Sequence, residues 1–483
     1  MKSGEIYDPY ALPADAIQPP PTNLWRALRN IGPGIILAGS IVGSGELILT
    51  TKFGAQYGYA FLWLILFSCV IKVFVQIELG RYAISSGKPT LGAINELRGP
   101  RLGAHILVWW WLIMMLTTFT QIGGMAGGVG QAMDLAFPHA ARTIADWTQP
   151  FWPDLASLIR QRPDYPWAIL ASLTAVILLV SGGYRRVEQL SVYLVAAVTL
   201  LTVLSVAVLP MTPYAIRWDR VVEGFQFLVP AAGMAVAFGV FGVTGVGATE
   251  LYAYPYWCLE KGYARFAGSR DGSEEWLQRA RGWIRVMQLD AWCSMIVFTL
   301  ATVSFYFMGA AVLHPQHLIP EDKAMVDTLS QMYAKPFGLW TQMVFLIGCG
   351  AVLFKTLYIS CAGHARLTAD FFSLAKFLQF ETARDRARWI QVLCVFDPLL
   401  ALALLLTLKN PVKMVVIGAV AQAATLPIIS GITVFFRYFG TDPRLAPRRF
   451  SDACLWLAFF SISCVAAYAV YSQLSSLWPA AAR

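Results

Sequence analysis

Eleven stretches of this sequence, near residues 31–56, 58–84, 104–136, 167–182, 188–210, 225–256, 286–313, 338–364, 390–408, 411–436 and 453–477, are apolar over about the length a bilayer-crossing helix needs. Hydrocarbon offers no water to backbone N–H and C=O groups, so such a chain can fold only as helices or as a closed barrel. The runs are continuous rather than alternating, which selects helices. Composition agrees: 57% of residues are hydrophobic and 13% charged, against about 25% charged in soluble domains. The expected class is an all-α polytopic membrane protein with about 11 transmembrane helices.

Residues 1–30, with Glu5, Asp8, Asp15 and the run Pro19-Pro20-Pro21, lack the basic start, apolar core and small-residue cleavage site of a signal peptide. They are expected as a flexible cytoplasmic N-terminal tail. No linker rich in Pro, Gly or Ser divides the rest, so residues 31–483 are expected as a single transmembrane domain. The net charge of +9 is unevenly placed. With the N-terminus inside, the cytoplasmic stretches hold 24 of the 37 Lys and Arg residues, the opposite side 10, and the spans only Lys52, Lys72 and Lys355. That bias predicts the N-terminus inside and the C-terminus outside. It also accounts for the basic charge without nucleic acid. The expected partners are the lipid bilayer and a small ion or solute, with the oligomeric state left open.

The first and sixth segments share a peculiarity. Segment 1 carries Gly32-Pro33-Gly34, Gly39, Gly43, Ser44, Gly45 and Glu46; segment 6 carries Gly239, Gly242, Gly245, Gly247, Ala248, Thr249 and Glu250. Each is Gly-interrupted with an acid near its middle, and they stand five segments apart. This is the pattern of an inverted-repeat transporter, in which unwound backbone at mid-membrane exposes carbonyls and helix ends to an ion. The structural alternative is that the glycines only let helices approach closely. A carboxylate in hydrocarbon costs about 2.5–3.5 kcal/mol on insertion scales, so Glu46 and Glu250 are the leading site candidates. Hard oxygen ligands of this kind suit magnesium, calcium or manganese. A Glu46–Lys52 ion pair is the competing explanation for the first acid.

Other charges point less clearly. Glu78 near Arg81 reads as an anchor at the end of segment 2, Asp290 as interfacial, and Lys355 either as counter-ion to a buried acid or as snorkelling. Asp397 and His364 read as structural. The eight cysteines sit singly, with no metal-ligand spacing. There is no phosphate-binding loop, no nucleophile with its base and no clustering of the five histidines, so an enzyme is not expected. No cofactor is expected apart from a transported cation.

The stretch Gly43-Ser44-Gly45-Glu46 followed by Gly54-Ala55-Gln56-Tyr57-Gly58-Tyr59, with Gly183-Tyr184-Arg185-Arg186-Val187-Glu188 and Gly247-Ala248-Thr249, resembles the natural-resistance-associated macrophage protein (NRAMP) family of proton-coupled divalent metal transporters. The resemblance runs over essentially the whole chain and implies a LeuT-type fold of two inverted five-helix repeats with broken helices 1 and 6. The departures fall on the site. Where the family has Asp-Pro-Gly-Asn, this chain has Gly43, Ser44, Gly45 and Glu46; where the family's Gly-Ala-Thr is followed by a variable residue and then Met-Pro-His, it has Glu250 and then Leu251, Tyr252 and Ala253. The acidic pair of the family's proton route falls on Thr118 and Gln121. Loss of the thioether removes a soft ligand while two glutamates restore charge; the chain resembles the NRAMP-related magnesium branch, which also departs from the standard ligands. The expected function is a secondary transporter or facilitator of Mg2+ or Mn2+, not proton-coupled, in a bacterial inner membrane. Its expected site comprises Gly43, Glu46, Ala248, Glu250 and Leu251, surrounded by Ser44, Lys52, Thr118, Gln121, Thr249, Tyr252 and Lys355. The alternatives are a transporter of the same fold for an organic cation or amino acid, using Tyr252, Tyr254 and Tyr256, and a membrane sensor or scaffold that transports nothing.

Overall fold

The first span is not one straight helix. In the computed structural model, which describes residues 10–181, 184–227, 233–321 and 324–477, it divides into α1 (Pro33–Ile41), a π-helical turn at Ser44–Thr50 and α2 (Thr51–Tyr57). Glycine is required at the break, because a Cβ on Gly43 would overlap the Thr356 side chain. The wide turn is held from within by the Thr50 hydroxyl on the Gly45 carbonyl (3.2 Å) and the Thr51 hydroxyl on the Glu46 carbonyl (3.4 Å).

The chain continues through α3 (Leu62–Ser86), α4 (Ile106–Ala136), α5 (Tyr165–Ser181) and α6 (Tyr184–Val208). The sixth span is broken like the first, into α7 (Met234–Val243) and α8 (Ala248–Lys261). Gly245 between them has φ +67°, which costs a glycine no strain. The remaining helices are α9 (Glu274–Met308), α10 (Leu339–Leu374), α11 (Ala383–Leu408), α12 (Pro411–Phe435) and α13 (Arg449–Leu477). Among the described residues, nine helices are long and apolar enough to cross a membrane, or ten if α5 and the helix Pro153–Gln161, bent by 94°, form one span. Helix α6 carries the remaining expected segment, 188–210, much of whose side-chain placement lies outside the described residues, as does the motif Gly183–Glu188.

The two broken spans form the centre of the bundle. Their apolar windows are 89% and 83% buried within the protein, against 33% for Ala383–Leu408 and 17% for Arg449–Tyr468, which face outward. Residues 10–30, expected as a flexible tail, are instead fastened to the bundle: Gln18 N–H bonds the Phe266 carbonyl (3.0 Å), the Trp283 indole bonds the Gln18 carbonyl (3.0 Å), and Tyr10 lies under the Arg386 guanidinium (4.1 Å).

Asp290 corrects another expectation. It is fully buried in α9 rather than interfacial, and its carboxylate accepts from the N–H groups of Gly32 (2.9 Å) and Gly34 (2.5 Å). Those N–H groups have no partner inside their own helix, and the positive end of the α1 dipole favours an anion there. Asp290→Ala leaves both N–H groups without an acceptor at a cost of about 2 kcal/mol or more. The expected outcome is a lowered unfolding temperature of the detergent-purified protein, with Asp290→Asn, which keeps one oxygen acceptor, falling between.

Candidate substrate site

Each break leaves carbonyl groups that a continuous helix would have satisfied, and each is met by a buried lysine. Lys355 of α10 donates to the Val42 carbonyl at 2.7 Å. Lys72 of α3 donates to the carbonyls of Phe241 (2.7 Å) and Thr244 (2.5 Å), with the Ser68 hydroxyl within 3.2 Å of both. Both lysines are fully buried. Lys355 therefore neither snorkels nor serves as the direct ion-pair partner of an acid. Glu46 lies in the π-helical turn with one carboxylate oxygen accepting from Gly245 N–H (3.2 Å) and 3.4 Å from the Thr302 hydroxyl, so it links the first break to the second. Its other oxygen has no hydrogen-bond partner among the described residues. The competing Glu46–Lys52 pair is not formed, because Lys52 reaches the exposed Glu321 at 3.0 Å instead.

Glu250 faces a different space. In the first turn of α8 its two carboxylate oxygens accept from the Ser40 hydroxyl and lie beside the Thr249 hydroxyl, each at 2.8 Å. The same Thr249 oxygen is 2.8 Å from the Gln422 carbonyl oxygen, and its single proton can serve only one of the two. Gln422 of α12 donates to Gln121 of α4 (2.8 Å), which donates to Ser44 (3.3 Å). This chain of side chains walls a cavity of about 20 Å³, closed further by Thr118, Ser360 and His364. A volume of that size admits about one water-sized centre.

Of the residues expected at the site, the structure gathers Ser44, Thr118, Gln121, Thr249 and Glu250 around this cavity. Glu46 does not line it. Gly43 is at the break, its carbonyl accepting from Leu47 N–H at 2.8 Å. Ala248, Leu251 and Tyr252 are buried in α8 away from the cavity, and the Tyr252 carbonyl accepts the Thr90 hydroxyl (2.9 Å). Ser40, Ser360 and Gln422 were missed, and His364 was set aside. The available signal was a lone amide or hydroxyl in an apolar run, as Gln422 is between Ala421 and Ala423. Among the described residues no three His, Cys, Asp or Glu side chains cluster as metal ligands usually do.

Lys355→Met strips the Val42 carbonyl of its donor deep in the bundle, which costs about 1–3 kcal/mol. Lys52→Met breaks only a pair whose acid is exposed, worth about 0–1 kcal/mol. The expected order of unfolding temperatures is therefore wild type and Lys52→Met together, with Lys355→Met clearly below.

Comparison with known proteins places the chain. A family model described as natural resistance-associated macrophage protein-like matches residues 34–147 and 154–472. The divalent metal cation transporter MntH of Acidiphilium cryptum is 21% identical over 67% of this chain and 65% of its own length. The protein of the same name from Deinococcus radiodurans is 25% identical over 71% of this chain and 68% of its own length. The matches span between about a third and two thirds of the length of the curated relatives, 34% to 68%. A crystal structure of the Eremococcus coleocola manganese transporter superposes with a TM-score of 0.64 at 16% identity, covering 98% of this chain and 92% of that one.

Proposed function

The chain belongs to the natural resistance-associated macrophage protein-like family, and on that premise we propose that it carries a hard divalent cation, Mg2+ or Mn2+, across a bacterial cytoplasmic membrane by alternating access. The observation that carries the proposal is the cavity of about 20 Å³ at which the Glu250 carboxylate and the oxygens of Ser40, Ser44, Thr249, Gln121 and Gln422 outnumber the softer side chains of Met125 and His364. Oxygen donors suit hard cations. An organic cation or amino acid needs a pocket of roughly 300 Å³ or more, which sets that alternative behind the ion. The names of the relatives, divalent metal cation transporter and manganese transporter, support the same class.

The cavity is too small for a hydrated ion, so the cation exchanges water for protein oxygens on entry. Mg2+ gives up its water reluctantly, which favours Mn2+ in this closed form. Glu250 supplies charge at the ion and Glu46 supplies it across the break, while Lys72 and Lys355 oppose it. Alternating access is the motion of the half-helices on either side of the two breaks. The proposed transport is not proton-coupled: α4 brings Thr118 and Gln121 to the cavity, neither of which titrates, so Glu250 and His364 are its titratable wall groups among the described residues and α4 adds no acidic relay leading away from them. The N-terminus lies inside, following the bias of basic residues.

Uptake of manganese and magnesium into proteoliposomes tests the assignment. Glu250→Gln removes one charged ligand, worth about 1.5–3 kcal/mol, and is expected to lower uptake at subsaturating ion by roughly ten- to a hundredfold. Absence of flux for both ions, or a rate unchanged in Glu250→Gln, overturns it. Initial rates are expected to be the same with and without an inward proton gradient; accumulation driven by that gradient contradicts the uncoupled mechanism.

A further inference from the structure

A second, larger cavity of about 470 Å³ opens between α3, α9 and the segment 444–448 that leads into α13. Five arginines line it: Arg81, Arg281, Arg285, Arg444 and Arg448. Two are already neutralised. Arg81 pairs with Glu78, its Nε–H shared between the two carboxylate oxygens (3.0 and 2.9 Å), and donates from Nη1 to the Leu445 carbonyl. Arg444 pairs with Asp442 (3.2 Å) and Glu274 (3.5 Å), and its hydrogen bonds help to hold the Asp442 carboxyl below the usual carboxylate range. Arg281, Arg285 and Arg448 are exposed and form no ion pair among the described residues. The pocket therefore carries an unbalanced positive charge of about three at a helix-end interface, where anionic lipid headgroups lie.

The walls continue into the apolar part of the bilayer. On α3 the sequence steps from Arg81 through Ile77 and Phe74 to Val70; on α9 it steps from Arg285 through Trp292 to Ile296 and Leu300. These spacings of three, four and seven keep each set on one helix face. Phe74 and Trp292 meet edge to face at 5.4 Å and join the two faces. Val70, Ile296 and Leu300 are 40%, 54% and 49% exposed, which in a spanning helix means contact with acyl chains. A basic headgroup pocket thus stands directly above an apolar groove.

We propose that this pocket binds the phosphate headgroup of an anionic phospholipid, whose acyl chains lie along the joined faces of α3 and α9. The guanidinium groups of Arg281, Arg285 and Arg448 donate to the phosphate oxygens, and Trp292 sits at the junction of head and chain. The site is separate from the central cavity and does not depend on which ion that cavity carries.

Native mass spectrometry of the full-length protein, titrated with phosphatidylglycerol, phosphatidylcholine or inorganic phosphate, tests this. One phosphatidylglycerol is expected to be retained at least tenfold more tightly than phosphatidylcholine, with no matching retention of inorganic phosphate. At about 1 kcal/mol per arginine, the triple variant Arg281→Gln/Arg285→Gln/Arg448→Gln weakens phosphatidylglycerol roughly a hundredfold, and Arg285→Gln alone, which keeps a test in hand if the triple variant misfolds, about fivefold. A control triple, Arg98→Gln/Arg101→Gln/Lys376→Gln, removes equal charge elsewhere and is expected to bind as wild type. Equal retention of the two lipids, retention of free phosphate in place of lipid, unchanged binding in Arg285→Gln, or equal loss in both triples each overturns the proposal.

Discussion

The bundle depends on how backbone groups are satisfied where two central helices stop being helical. Hydrocarbon offers no water, so the carbonyls freed at Val42, Phe241 and Thr244 must find donors inside the protein. Lys355 and Lys72 supply them. Burying each lysine costs about 2.5–3.5 kcal/mol on insertion scales, and charge-assisted hydrogen bonds return roughly 1.5–3 kcal/mol apiece. Lys72, with two such bonds, is balanced or better. Lys355, with one, comes close to balance. At the start of the first broken span the problem is reversed: free N–H groups at Gly32 and Gly34 are met by the carboxylate of Asp290. Opposite charges at these points hold the half-helices in one arrangement.

That arrangement decides what remains for a substrate. Because the Val42, Phe241 and Thr244 carbonyls are occupied by lysines, the small central cavity presents side-chain oxygens instead of a ring of backbone carbonyls. Glu250 becomes the one carboxylate at the cavity wall, flanked by Ser40, Thr249 and the amides of Gln121 and Gln422. Glu46 stands on the other side of the break, bonded to Gly245 N–H. The two glutamates thus stand differently, one facing the small cavity and one joining the broken helices.

Much of this was legible in the sequence. Glycine placement in segments 1 and 6 located both breaks, since a left-handed backbone at Gly245 and a close approach at Gly43 each demand the absence of a side chain. Glu250, singled out as an acid in an apolar segment, and Ser44 and Gln121, singled out by the motif comparison, come together at one cavity. The partners were not legible. Nothing in the sequence says that Lys355 meets a carbonyl 313 residues away rather than an acid, or that Asp290 crosses 256 residues to Gly34. Gln422 carried only a weak signal, one amide in an apolar run. Residues 10–30 read as a tail because their contacts are made by backbone and aromatic groups, which composition does not reveal.

The most direct test of the central claim is anomalous scattering from crystals soaked with manganese. A peak is expected in the small cavity, within coordination distance of Glu250 and the Ser40 and Gln422 side chains, and lost in Glu250→Gln. A peak at the unpartnered oxygen of Glu46, or none between the two breaks, contradicts it.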